Sequence, residues 1–391
     1  MIGVSKLLFD SEEFGNRLRY SEASHGQRNG AAAGMGPVVV WNSTRACNLH
    51  CVHCYMDARG GPEEGELTTE EALRFVDQLA DFRVPVLLFS GGEPLMRPDF
   101  FTIANYARQK GLRVTLSTNG TLISRDVAQR LKDTGVGYVG ISLDGLRDAN
   151  DRMRGQKGAF AAALKGVENC VAVGQKVGLR FTINRYNYAD LNDVFDLMEG
   201  ENIDRACFYH LVYSGRGSKM IAQDITHEET RAAMDLIIRR TEDFHRRGLP
   251  KEILTVDNHA DGVYLYLYAR RHMPQRAPKV WELLQRNGGN RSGIAIAEVD
   301  HKGDVHPDQF TQHVHLGNVR ERSFGEIWQD TRHPILAGLK NRRPLLKGRC
   351  ARCRWLDVCN GNFRARAEAV SGDFWQEDPA CYLTDEEIGI A

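Results

Sequence analysis

Residues 37–55 read PVVVWNSTRACNLHCVHCY, and this stretch decides the fold. Pro37-Val-Val-Val-Trp-Asn42 is a short β-branched run suited to a buried strand. Cys47, Cys51 and Cys54 follow it with the spacing C-x3-C-x2-C, in the loop at the strand's carboxyl end.

Outward from this unit the same pattern repeats. Further strand candidates lie at 84–89, 112–117, 137–143, 177–183 and 206–212, with helix candidates near 69–80, 99–110, 124–133, 159–173 and 189–199. The first helix has a start signal, Thr68-Thr69-Glu70-Glu71, and apolar positions Ala72, Phe75, Val76 and Leu79 at helical spacing. Strands joined by helices imply right-handed βαβ units and a parallel sheet buried on both faces. Six units, rather than eight, predict an α/β fold: a partial (β/α)6 TIM-like barrel over residues 37–225. Residues 1–36 read as an N-terminal leader, mobile from residue 16. Residues 226–300 read as a helical connection, with helices at 227–246, 258–272 and 279–286. A C-terminal domain over 301–391 opens with a hairpin near Gly303-Asp304.

In such sheets ligands sit at the carboxyl ends of the strands. The cysteine loop, Gly91-Gly92-Glu93-Pro94, Thr118-Asn119-Gly120 and Asp144-Gly145 follow four successive strand candidates. They therefore converge on one rim, and their convergence says more than any one motif.

Composition narrows the function classes. Lys plus Arg equals Asp plus Glu at 51 each, so no basic excess points to nucleic acid. No run of 18 apolar residues predicts a membrane span, and the first ten residues lack a signal-peptide pattern, so the cytoplasm is expected. The nine cysteines are not spaced as a secreted disulfide set. Cys350, Cys353, Cys359 and Cys381 form a second group, while Cys170 and Cys207 stand apart and read as buried thiols. Clustered thiols in a reducing compartment read as metal ligands. Three thiolates without a fourth leave an open, catalytic position on an iron–sulfur cluster. Zinc, completed by His50 or His53, is the alternative for the first group, and a closed zinc site is the alternative for the second.

The C-x3-C-x2-C loop followed by Tyr55 resembles the signature of the radical S-adenosylmethionine (SAM) superfamily. The resemblance implies a [4Fe-4S] cluster on Cys47, Cys51 and Cys54 that binds and reductively cleaves SAM. It also implies cofactor contacts from Tyr55, Gly91, Gly92, Glu93, Pro94, Ser117, Asn119, Ser142, Asp144 and Arg154. The second cysteine group, with Leu316-Gly-Asn-Val-Arg-Glu-Arg-Ser-Phe-Gly-Glu-Ile-Trp328, resembles the SPASM extension, which carries auxiliary [4Fe-4S] clusters. Full SPASM domains hold two. Here Asp308 and Phe363 stand where further cysteines are expected, which implies one auxiliary cluster on Cys350, Cys353, Cys359 and Cys381, two clusters in all.

Met1–Leu7, Pro37–Asn42, Thr255–Gly262, Lys347–Phe363 and Asp378–Gly389 resemble the haem-biosynthesis branch of this superfamily. The implied substrate is an iron tetrapyrrole, 12,18-didecarboxysiroheme. It would lose two acetate arms to give Fe-coproporphyrin III or, in a sister activity of haem d1 synthesis, react at its propionates. A low-potential electron donor is the implied partner. His259 and His306 are the first candidates for proton donation or iron binding, ahead of His313 and His315. Arg180, Arg185, Arg216 and Arg291 are candidates for the substrate carboxylates. A SPASM peptide maturase and a structural zinc protein are the rival readings.

Overall fold

In the computed structural model, which describes residues 1–13, 15–21 and 29–390, parallel strands march outward from the one that precedes the first cysteines. Among the described residues the strands are β1 (Ile2–Gly3), β2 (Val38–Asn42), β3 (Val86–Ser90), β4 (Arg113–Thr118), β5 (Val139–Ser142), β6 (Val177–Ile183), β7 (Arg205–His210), β8 (Glu252–Val256), β9 (Ile296–Val299), β10 (Asp304–His306) and β11 (Gly317–Asn318). They form one sheet in the order β1-β8-β7-β6-β5-β4-β3-β2-β9-β10-β11. From β2 to β8 each strand pairs in parallel with the next. This is the expected partial barrel, and it places all of the carboxyl ends on one rim.

The helix Thr69–Asp81 illustrates how the sequence builds each unit. Thr68 and Glu71 form a reciprocal capping box, which satisfies two amides that the first helical turn leaves without partners. Ala72, Phe75, Val76 and Leu79 are buried in the core. Removing a large one of these would cost about 2–5 kcal/mol.

The structure differs from the sequence reading at both ends of the barrel. The expected helical connection contains β8, Glu-Ile-Leu-Thr-Val, buried along its whole length and parallel to β7. Nor is the start of the chain a loose leader. Ile2 and Gly3 pair antiparallel with Thr255 and Leu254, and Val4, Leu7 and Leu8 are buried in the main core. Of the segment read as mobile, residues 22–28 lie outside the described residues. At the opposite edge β9 runs parallel to β2, with Val38↔Ile296 and Trp41↔Val299 as end partners. The expected hairpin joins β9 to β10, turning at Gly303 in the left-handed region, φ +87°. Arg366, fully buried, pairs with Asp378 at 2.9 Å and donates to the carbonyls of Leu211 and Asp257. That side chain ties the C-terminal region to the rim of β7 and β8. Among the described residues, no helix is long and apolar enough to cross a membrane.

Candidate active site

One cavity opens at the rim, lined on one side by Cys47, Cys51 and Cys54 and on the other by Arg180, Tyr209 and His210. The cysteine loop is held from several directions. Backbone amides of Leu49 and Ala58 donate to the Sγ atoms of Cys47 and Cys54, each at 3.4 Å, and Arg154 Nη1 lies 3.6 Å from Cys51 Sγ. Such N–H···S contacts stabilise thiolates that ligate iron. Burial pushes the Cys47 thiol up to about 12 and raises that of Cys51 as well. Free thiols here would therefore be neutral, and a cationic iron cluster is the partner that would turn them into ligands.

The second loop packs directly onto the first. Gly92 N donates to Thr44 O at 2.8 Å and Glu93 N to Ala46 O at 2.7 Å. A Cβ on Gly91, at φ +128°, would lie 2.6 Å from Thr44 O, and one on Gly92 would lie 2.1 Å from Ala46 O. Only a glycine pair permits this approach. Ser90, Gly91 and Gly92 line the cavity. Glu93 turns inward instead, accepting from Thr118 Oγ1 and Asn119 N at 2.8 Å each and from Leu95 N at 3.1 Å. It fixes the third loop, with the buried Pro94 opening the short turn behind it. Ser117, Asn119 and Ser142 line the cavity, and Asn119 Nδ2 donates to Asn48 Oδ1 at 2.8 Å.

Asp144 is fully buried and its oxygens are committed. It pairs with Arg154, lies 3.0 Å from His53 Nε2 and accepts from Thr182 N at 2.6 Å. Burial alone would raise its carboxyl, but Arg154 and His53 hold it down at about 2. Asp144 thus orients Arg154, which does line the cavity. Tyr55 donates to Asn42 Oδ1 at 2.8 Å and sits 2.9 Å from Ser90 Oγ, while Asn42 Nδ2 donates to Glu298 at 2.6 Å.

The far side of the cavity is built by the ends of β6, β7 and β8. Arg180 lies with its guanidinium 4.6 Å from the Tyr209 ring centroid, over Gly140, where a Cβ would meet its Cδ at 2.9 Å. Among the described residues it has no carboxylate partner within ion-pair distance. Asp257 follows β8 in the left-handed region, φ +66°, and burial lifts its carboxyl to about 6. His210 Nε2 lies 2.9 Å from Asp261 Oδ2.

The second cysteine group lines its own cavity, with Cys350, Cys353, Cys359 and Cys381 around it. Trp355 N donates to Cys353 Sγ at 3.4 Å, and burial pushes the Cys381 thiol up to about 12. A Cβ on Gly289 would lie 2.3 Å from the backbone of Cys359, so the neighbouring chain seals this site. Among the described residues, no three His, Cys, Asp or Glu side chains converge on a single-ion position. Three thiols border the first cavity and four the second, donor sets of the kind iron–sulfur clusters take. Asp308 caps a turn, accepting from Phe310 N and Thr311 N, and Phe363 packs 5.3 Å from Phe310. Asp308 and Phe363, where the resemblance leads one to expect cysteines, thus have a turn-capping and a packing role.

Several candidates from the sequence lie elsewhere. His259 is buried against the amino group of Met1, 3.3 Å away, and its amide donates to Asn362. His306 is buried behind the cavity, Nδ1 2.9 Å from Val314 O and Nε2 3.7 Å from Glu298, and His313 and His315 are exposed. Neither His259 nor His306 lines the cavity. Arg185 is exposed, and Arg291 donates to the carbonyls of Gly30 and Ala31. Arg216 does line the cavity, but as a clamp: its Nε and Nη1 donate to Cys51 O, Asp57 Oδ1 and Ala58 O. The sequence reading missed His210, Asp257 and Asp261. His210 lies inside the expected strand 206–212 and closes the observed β7, the rim position that drew attention on earlier strands, whereas Asp257 emerges only once β8 is known.

Comparison with known proteins supplies an independent line. Residues 41–198 match the radical SAM superfamily and residues 293–354 the SPASM iron–sulfur cluster-binding domain. The chain is 56% identical over 395 residues to the Fe-coproporphyrin III synthase of Methanosarcina barkeri, covering 100% of this chain and 99% of that protein. It is 45% identical over 359 residues to the pre-heme d1 synthase of Dinoroseobacter shibae, covering 91% and 88%. The solved structure of Streptococcus suis SuiB bound to S-adenosylmethionine has a TM-score of 0.71 at 19% identity, over 90% of this chain and 78% of that one. This last likeness speaks for the fold alone.

Proposed function

This chain belongs to the radical SAM superfamily and carries a SPASM domain, and on that footing we propose that it removes the two acetate side chains of 12,18-didecarboxysiroheme to give Fe-coproporphyrin III. The cofactors of the family are SAM with a [4Fe-4S] cluster and an auxiliary iron–sulfur cluster. We assign the first cluster to Cys47, Cys51 and Cys54 and the auxiliary one to Cys350, Cys353, Cys359 and Cys381. When bound, SAM and the first cluster supply the hydrogen-abstracting 5′-deoxyadenosyl radical.

The observation that carries the reading is the division of the cavity into two poles. The ends of β2 to β5 present thiols, a glycine pair and small polar groups, suited to a cluster and the amino-acid part of SAM. Arg154, held by Asp144 at the cavity wall, would take the SAM carboxylate. The ends of β6 to β8 present Arg180, stacked on Tyr209 and, among the described residues, with no carboxylate within ion-pair distance. A guanidinium so placed suits a carboxylate of the tetrapyrrole. Tyr55, wedged between Ser90 and Phe310, separates the poles. The nine free cysteines suit a reducing compartment, the cytoplasm, and a low-potential protein as electron donor.

The test supplies anaerobic, reduced protein with SAM and 12,18-didecarboxysiroheme. The expected products are Fe-coproporphyrin III, acetate and about two 5′-deoxyadenosines per tetrapyrrole, one for each arm. Oxidised propionates with both acetates retained would assign the chain to the sister activity, in line with its likeness to the pre-heme d1 synthase.

A further inference from the structure

The far pole contains a histidine arranged as an acid. β7 ends on His210, whose Nε2 lies 2.9 Å from Asp261 Oδ2. Asp261 is fully buried at the start of the helix Ala260–His272, and its other oxygen accepts from Tyr382 Oη at 2.8 Å. A carboxylate only accepts, so Nε2 bears a hydrogen and Nδ1 is the nitrogen left for chemistry. Among the described residues Nδ1 has no hydrogen-bond partner, and His210 lines the cavity. Of the other ring acids lining this cavity, two are bonded through their acidic atoms and one is packed by its ring. Tyr55 is bonded to Asn42 and Ser90, His53 faces Asp144, and Tyr209 lies beneath Arg180. Asp257 shares the pole, but among the described residues no hydrogen bond fixes its carboxyl.

We propose that His210 is the acid that protonates the carbon of the departing side chain, with Asp261 as its positioning residue; this rests on the tetrapyrrole reading above. A radical on the ring carbon next to the acetate-bearing carbon breaks the bond to the arm homolytically. A ring C=C bond forms and a carboxymethyl radical leaves. One electron from a low-potential iron–sulfur donor pairs with the radical electron. The new C–H bond takes that pair and the Nδ1 proton of the His210 imidazolium, whose own N–H bonding pair stays on the ring and leaves a neutral imidazole with Nε2–H facing Asp261. The product is acetate, and solvent returns the proton to His210. Tyr382 follows Cys381 in the chain, so the same carboxylate that aims the acid also touches the segment bearing the second cysteine group.

The experiment uses His210→Gln, Asp261→Asn and His210→Ala holoenzymes that keep wild-type iron content. Fe-coproporphyrin III is titrated first, by its Soret band; acetate and 5′-deoxyadenosine are then counted over a single turnover of 12,18-didecarboxysiroheme. His210→Gln is expected to bind Fe-coproporphyrin III as wild type does and to form 5′-deoxyadenosine, with acetate release slowed about 100-fold. Asp261→Asn is expected to fall between, and added imidazole to restore acetate release to His210→Ala. Unchanged acetate per 5′-deoxyadenosine in His210→Gln would overturn the proposal, as would loss of the Soret titration, which would make His210 a binding residue. Wild-type protein that releases no acetate would instead sink the tetrapyrrole reading, and the proposal with it.

Discussion

Arg216 Nε donates to the carbonyl of Cys51 at 2.8 Å, so the loop after β7 holds the cysteine loop after β2 from across the cavity. The contact is reinforced by Arg216 N donating to Cys54 O at 2.9 Å. A Cβ on the preceding Gly215 would lie 2.4 Å from Tyr55 O, so the two loops pass at backbone contact.

Arg216→Ala is therefore expected to loosen the first cluster and spare the second. Three side-chain hydrogen bonds, from two nitrogens to Cys51, Asp57 and Ala58, are lost, worth on the order of 2–3 kcal/mol in a partly solvated setting. The measurement is iron release to a chelator. About half of the iron should leave faster than in wild type, and Arg216→Lys should recover only part of the retention because it lacks the planar fork. Equal release from both halves would contradict the clamp.

The second cysteine group gives a complementary prediction. Cys359→Ala should lower iron from about eight to about four atoms per chain. Addition of SAM should still change the electron paramagnetic resonance spectrum of the reduced cluster that remains. Loss of that response would mean that the two cysteine groups do not hold separate clusters.

Arg180→Met should weaken binding of Fe-coproporphyrin III about tenfold or more, equivalent to about 1.4 kcal/mol. Gly140 leaves room beneath the side chain, so the replacement fits without strain. SAM binding, assigned to the opposite pole, should be unchanged in equilibrium dialysis.

Asp257 supplies a pH signature. Burial raises its carboxyl from 3.8 to about 6 against the pull of Arg180 and Arg366. A carboxyl raised on folding binds its proton more tightly in the native state, so wild-type stability falls as pH rises from about 4 to about 6. Asp257→Asn removes this loss, and asparagine accepts the left-handed backbone. Thermal unfolding should show the variant gaining on wild type across that interval, by about 2 kcal/mol, and the gain staying level above pH 7. A constant difference at every pH would contradict the assignment.

Much of this was legible in the residues themselves. The six strands from 37 to 212 and the four rim loops follow from β-branched runs and punctuated turns, which are local signals. β8 is not local: Glu252–Val256 is five residues between long helices, and it becomes a strand because β7 offers a free edge. β1 is two residues and has no period to read. In the site, cysteine spacing is a covalent fact of the chain, whereas His210 and Asp261 are 51 residues apart and meet only through the β8 crossover. In the stretch Thr255–Gly262 the histidine faces the amino terminus, Asp257 lines the cavity, and Asp261 lies behind it against His210.

The pairing of β9 with β2 bears on how such enzymes can diversify. Val38 to Trp41, the strand that launches the catalytic loop, takes one of its two hydrogen-bonded neighbours from residues 296–299. A chimera that exchanged the C-terminal region for another would strip an edge from the very strand that aims the thiols. A chimera that keeps residues 296–299 is therefore expected to hold the cysteine loop better than one that replaces them.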